Sequence, residues 1–160
     1  MRTSHGGRLI SGLLAGVIAA GCSGSVAQAP DRVRTALQPF VETGYICRGP
    51  STDNSAYSQW ACDLTTDDGT ALHILIDADS TRIKQVLAVI DQSKNKTTDV
   101  GSVSAFFDKV AQTDLGATPA RVTEWIGSHI PGGGQEHIGP VLVTLDAFRP
   151  VCTMSLFVET

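Results

Sequence analysis

The sequence predicts an α+β domain in which a mainly antiparallel five-stranded sheet carries two amphipathic helices on one face, in the order α-βββ-αα-ββ. Three observations carry this. Segments such as Ala71 to Ala78 and Arg82 to Gln92 alternate apolar and polar residues with the period of two of a half-buried strand. Ser102 to Leu115 and Pro119 to Ile130 instead repeat their apolar residues every three or four positions, the helical period. The strands also come in runs kept apart from the helices, so strand neighbours join by hairpins and the helices segregate to one side.

In chain order, Asp31 to Val41 spaces Val33, Leu37, Phe40 and Val41 for one helical face. Pro39 predicts a kink or break in it, because proline lacks an amide hydrogen and its ring crowds the preceding turn. A short strand over Tyr45 to Arg48 follows, then a longer one over Tyr57 to Leu64 that sets Trp60, Cys62 and Leu64 against Gln59, Ala61 and Asp63. Asp68-Gly69 is a favoured dipeptide for a tight hairpin turn, and the next strand sets Leu72, Ile74 and Ile76 against Ala71, His73 and Leu75. The turn DADST leads into RIKQVLAVIDQ, and the polar stretch Ser93 to Gly101 ends the meander. The helix that follows places Val103, Phe106, Phe107, Val110 and Ala111 on one face, with Ser102 or Ser104 as the expected N-cap. The last helix starts at Thr118 as N-cap with Pro119 in its first turn, carries Val122, Trp125, Ile126 and Ile130 on one stripe, and stops at Pro131-Gly132. PVLVTLDAF and PVCTMSLFVE close the sheet through a tight turn at Arg149-Pro150.

With 160 residues, 42% of them hydrophobic, the chain supports one core of ordinary size. The formal charge is −4; without the first 21 residues, which hold Arg2 and Arg8, ten basic residues face sixteen acidic ones, a net −6. The remaining cations are scattered, so no basic stripe is available for a phosphate backbone and nucleic acid is excluded as a partner.

The N-terminus has its own grammar. Arg2, His5 and Arg8 form a basic region, and Leu9 to Ala20 is an uncharged run of twelve residues rich in Leu, Ile, Val and Ala. As a helix the run rises about 18 Å, short of the roughly 30 Å of a hydrocarbon core, so it suits a signal peptide better than a span. Two cleavage points compete. Ala27-Gln28-Ala29 has the small-x-small pattern, but it lies well beyond the apolar run and Pro30 follows it. Ala19-Ala20-Gly21-Cys22 stands directly at the end of the run and resembles the lipobox of bacterial lipoproteins, departing from the common pattern by Ala19 where Leu is usual.

The resemblance covers the first 22 or so residues only. It implies that residues 1–21 are removed, that the Cys22 thiol carries a thioether-linked diacylglyceryl group, and that residues 22–30 form a lipidated tether to a single domain over 31–160. Each buried CH₂ of the acyl chains contributes about 0.8 kcal/mol, so two or three chains anchor firmly in the cell membrane or the outer membrane. Ser23 is not the aspartate associated with inner-membrane retention in that family, which favours the outer membrane where there are two.

Cys47, Cys62 and Cys152 remain. Outside the cytosol thiols oxidise, and Cys47 and Cys62 sit in two strand segments joined by a polar loop, so they are the expected bridge. Closing about fifteen residues is worth roughly 3 kcal/mol. Cys152 shares the parity of Met154, Leu156 and Val158 and reads as a small buried hydrophobe.

No motif dictates a reaction. Asp63, Asp67, Asp68, Asp77 and Asp79 concentrate carboxylates, but their spacing is not that of a calcium loop and their hairpin turns account for them. PGGGQEHIGP combines three consecutive glycines with Glu136 and His137. It lacks the Lys-Ser/Thr of a phosphate loop and is read as a mobile connection, the pair Glu136 and His137 being the best acid/base candidates in the chain, with His73 and His129 as others. Trp60, Tyr57, Trp125, Phe106 and Phe107 suit a core better than a ligand groove. No metal or cofactor is called for. The reading that follows is a membrane-anchored, non-enzymatic binding or accessory module of a bacterial cell envelope that meets an envelope protein. The competing readings are an envelope hydrolase using Glu136 and His137, and a carrier of a small apolar ligand.

Overall fold

The computed structural model describes residues 26–51, 57–94, 99–130, 132–147 and 150–159; Cys22, expected from the sequence to carry the lipid, lies outside them. Three α-helices are described: α1 (Asp31–Val41), α2 (Val100–Ala111) and α3 (Pro119–His129). The strands are β1 (Ile46–Ser51), β2 (Ser58–Thr65), β3 (Ala71–Ala78), β4 (Ile83–Asp91), β5 (Gly134–Ile138), β6 (Val141–Asp146) and β7 (Val151–Val158).

Among the described residues these seven strands form one sheet, in the order β1-β2-β3-β4-β7-β6-β5, with every pair of neighbours antiparallel. The five-stranded sheet expected from the sequence is therefore wrong, although the α+β class stands. The short strand after α1, named from the sequence but left out of the five, and one segment not read as a strand make the difference. The short strand after α1 runs on to Ser51 and pairs with β2 as one edge of the sheet. Gly134–Ile138, inside the stretch read as a mobile connection, pairs with β6 from Gly134↔Leu145 to Ile138↔Val141 and forms the other edge. Four of its five residues are exposed, so it carries no apolar alternation by which it could be recognised. Edge strands are often short and polar for this reason: an apolar edge invites pairing with other chains.

The chain thus builds the β1 to β4 meander, crosses over α2 and α3 to the far edge, and returns through β6 to β7, which pairs with β4 from Gln85↔Phe157 to Asp91↔Val151. Alternate residues of every strand face the helices. One cross-strand row runs from Cys47 through Cys62, Ile74, Ala88 and Met154 to Leu145, and the last five are 3% exposed or less. Val33, Leu37 and Phe40 of α1, Phe106 and Phe107 of α2, and Trp125 and Ile126 of α3 close over that face in one continuous core.

The helix ends differ in detail from expectation. The N-cap of α2 is Asp99, whose carboxylate accepts from the Gly101 and Ser102 amides at 3.0 and 3.1 Å; Ser102 and Ser104 are not the cap. A carboxylate also favours the positive end of the helix dipole, an advantage a hydroxyl lacks. Thr118 does precede α3, with Pro119 in its first turn, though its side chain makes no capping bond. Pro39 stands inside α1 without ending it, because it occupies the last turn, where few bonds remain to lose. Within the stretch 22–30 expected to be a tether, Val26–Gln28 form a turn of 3-10 helix, and Ala29 is buried in the core.

Cys47 and Cys62 stand directly opposite each other on β1 and β2, with Cα atoms 4.0 Å apart, and are joined as the sequence led one to expect. Cys152 is buried.

Candidate functional site

The glycine-rich stretch carries the acid/base candidates Glu136 and His137. Its glycines answer to packing. A Cβ on Gly133 (φ +72°) would fall 2.7 Å from the Leu145 carbonyl oxygen, and one on Gly134 would fall 2.8 Å from Cδ2 of His129. The chain needs them to leave α3 and lie against β6 at once. Successive residues of a strand point to opposite faces, so forming β5 separates the acid/base pair: Glu136 stands opposite Val143 on the helix side, His137 opposite Leu142 on the other. His137 Nδ1 lies 3.7 Å from Glu159 Oε2.

Glu136 instead borders a shallow cleft of about 240 Å³ with Arg121, Trp125 and His129. There the His129 ring stacks on Trp125 at 4.3 Å between centroids, and its Nδ1 donates to the Trp125 carbonyl at 2.8 Å, which leaves Nε2 as the acceptor nitrogen. Ser128 Oγ, the nearest hydroxyl, lies on the Nδ1 side at 2.9 Å, away from the nitrogen that could act as a base. This is the geometry of a capped helix end, not of an activated nucleophile.

His73 pairs with Asp63 across β2 and β3, Nδ1 to Oδ1 at 2.7 Å, and Arg48 bonds the other carboxylate oxygen. The cluster is exposed on a flat sheet, flanked in its row by Ile46 and Val89. Asp68 and Asp79 serve their own turns: Asp68 accepts from the Thr70 amide, and Asp79 from the Thr81 and Arg82 amides. These bonds hold the Asp79 carboxyl well below its usual range, with the Thr81 hydroxyl the largest cause. Among the described residues no three His, Cys, Asp or Glu side chains converge as metal ligands would.

A second concavity of about 240 Å³ opens between α1 and α2, lined by Thr35, Ala36, Pro39, Ile83, Lys109 and Gln112. Pockets for drug-sized ligands run from roughly 300 to 1,000 Å³, so the space is small for a carrier. Lys109 is already engaged, its Nζ over the Phe40 and Tyr45 rings at 5.0 and 5.6 Å and bonded to Thr43. Burial lowers its pKa and pushes the Tyr45 phenol up to about 12. Trp60, Trp125, Phe106 and Phe107 belong to the core, as their sequence pattern suggested; Tyr57 is 42% exposed.

The remaining feature is the open face of the sheet. No protein-family model, curated protein or solved structure matches the chain. The second face of the sheet is covered by none of the described helices. Its rows are the other parity of each strand. Leu75 stands opposite Leu87, and Phe157 opposite Leu142, with Val89 two residues beyond Leu87 on the central strand. Diagonal neighbours on a sheet are about 7–8 Å apart, within reach of such side chains, so these five form one patch across β3, β4, β7 and β6. Phe157 is 43% exposed, and the other four are half-buried by their neighbours.

Polar groups ring the patch. Asp77, Gln85 and His137 share the Phe157 row; Asp63, His73, Thr153 and Asp146 share the Val89 row; Asp91 lies beyond. An apolar centre in a polar rim is the anatomy of a protein interface. These residues were readable as strand parity but not as a site. The available signal was that the parity opposite the core carries Leu75, Leu87 and Phe157 where a solvated face would carry charge.

Proposed function

We propose that the protein is exported, lipidated at Cys22 and held at a bilayer, and that its domain works by docking a partner protein of the cell envelope on the bare face of the sheet. The observation that carries the docking reading is the patch of Leu75, Leu87, Val89, Phe157 and Leu142 within a rim of carboxylates. The anchor rests on Ala19-Ala20-Gly21-Cys22. A lipid anchor raises the local concentration of a weak binder around membrane-borne partners, so such a face can act without high affinity. Among the described residues no helix is long and apolar enough to cross a membrane.

Two experiments test the two halves. Cys22→Ser should move the protein from the membrane pellet to the soluble fraction; sedimentation at the usual processed mass would remove the anchor from the account. A photo-crosslinking residue at Leu87, read against one at exposed Ala105 on α2, should give adducts in native membranes that Phe157→Ser abolishes. Equal adducts from both positions would mean that the face is ordinary surface.

A further inference from the structure

We infer that the occupant of the bare sheet face is a cationic amphipathic helix of a partner protein. The inference rests on the docking reading above and names the chemistry that this face selects.

The shape comes first. A two-layer domain with helices on one side of its sheet buries the second side by adding a third layer, and on an antiparallel sheet that layer is a helix or another sheet. The patch crosses four strands, from Leu75 on β3 to Leu142 on β6. At about 4.8 Å per strand that is about 14 Å, between two and three turns of helix, so apolar residues at i, i+3, i+4 and i+7, about 10 Å from end to end, cover most of it. A lone extended segment would pair with the open edge of β1 or β5, where backbone groups are available, and leave the patch bare.

Charge then chooses among helices and other covers. The face carries Asp63, Asp77, Asp91 and Asp146. Among the described residues Arg48 also lies on it, bonded to Asp63 and so already engaged. Asp77 accepts from the Gln59 amide at 2.9 Å, a neutral partner that orients a carboxylate without cancelling its charge, whereas Asp91 accepts from the Ser93 amide at 2.8 Å and also feels the charge of Lys94. Among the described residues none of Asp77, Asp91 and Asp146 stands in an ion pair. A second copy of the chain laid face to face would set carboxylates against carboxylates, and an anionic bilayer surface would meet the same repulsion. A helix with Leu-type residues on one stripe and Lys or Arg along both margins satisfies the patch and the rim together.

The test uses the full chain in zwitterionic nanodiscs and a labelled helical peptide with Leu on one stripe and Lys elsewhere, read by fluorescence anisotropy at about 150 mM salt. A twin peptide with Glu in place of every Lys is the control. The Lys peptide should bind at least about tenfold tighter than its twin, and Leu87→Ser with Phe157→Ser should weaken it by about tenfold or more with circular dichroism unchanged. Asp77→Asn with Asp146→Asn should weaken it by about threefold to tenfold and flatten its salt dependence. Equal binding of the two peptides overturns the inference. So does Lys-peptide binding that survives the face substitutions, which would be general attraction to an acidic chain. A concentration-dependent dimer lost in Phe157→Ser would make the occupant a second copy, and face-dependent binding to anionic vesicles would make it lipid; either overturns it. Should the Lys peptide fail while Leu87 still crosslinks in membranes, the partner chemistry falls and the docking reading stands; should both fail, both fall.

Discussion

The two faces of this sheet are built from the same strands, one residue out of step, and they differ in what covers them. Ile74 points into the core between Cys62 and Ala88; Leu75, its neighbour, points away between Ala61 and Leu87. The first row is sealed by α2 and its companions, with Ile74 fully buried, whereas the second row is half-buried only by its own neighbours. Apolar side chains stand in both. Hydrophobicity alone therefore does not separate a core from an open face; the presence of a second layer does.

Substitution of the two neighbours is the sharpest way to break this comparison. Ile74→Ala should cost about 2–5 kcal/mol, since it leaves a cavity in a face that cannot collapse, measured as the shift in a urea unfolding curve. If Leu75→Ala cost as much, the open face would be a second core; about 1 kcal/mol or less is expected there. The covered face also holds the bridge, and Cys47→Ser should lower stability by about 3 kcal/mol for a closed loop of fifteen residues, an effect that added reductant reproduces in the parent and not in the variant. At the far edge, Gly133→Ala should cost about 1–3 kcal/mol, because its Cβ would press on the Leu145 carbonyl and its φ of +72° suits glycine. If it proves neutral, β5 is not held against β6 as described.

The smallest expected effect concerns the polar ends of the elements. The pKa values of Asp79, Asp91 and Asp99 are held down by hydrogen bonds from Thr81, Ser93 and Ser102 respectively, together with backbone amides. A carboxyl whose folded value is depressed contributes stability that is fully present above its unfolded value near 4 and is lost as pH falls through the folded value. The urea midpoint should therefore be flat from pH 7 to about 5 and decline toward pH 3, with a shallower decline in Asp79→Ala. A midpoint that rose on acidification would contradict these bonds.

The alternation of β2, β3, β4, β6 and β7, the helical stripes of α2 and α3, and the pairing of Cys47 with Cys62 were all legible because each is written within one element or one hairpin. The N-cap was misplaced by three residues, since Asp99 and Ser102 are both good caps and only the backbone path decides between them. β5 was missed because Gly134–Ile138 is selected by its partner strand and not by its own pattern. Of the candidate site, Leu75, Leu87 and Phe157 were visible as residues, but their gathering into one patch required the β4–β7 pairing between segments more than sixty residues apart.

By itself, then, the sequence determined the local directions: which side chains of a strand share a face, which stripe of a helix is apolar, and which thiols meet across a hairpin. Only the tertiary structure decided the order of seven strands, the separation of Glu136 from His137 on opposite faces of β5, and which of two apolar sheet faces the helices cover. The reason is physical. Side-chain direction follows from backbone geometry within a few residues, whereas coverage depends on contacts between distant segments, which no local period encodes.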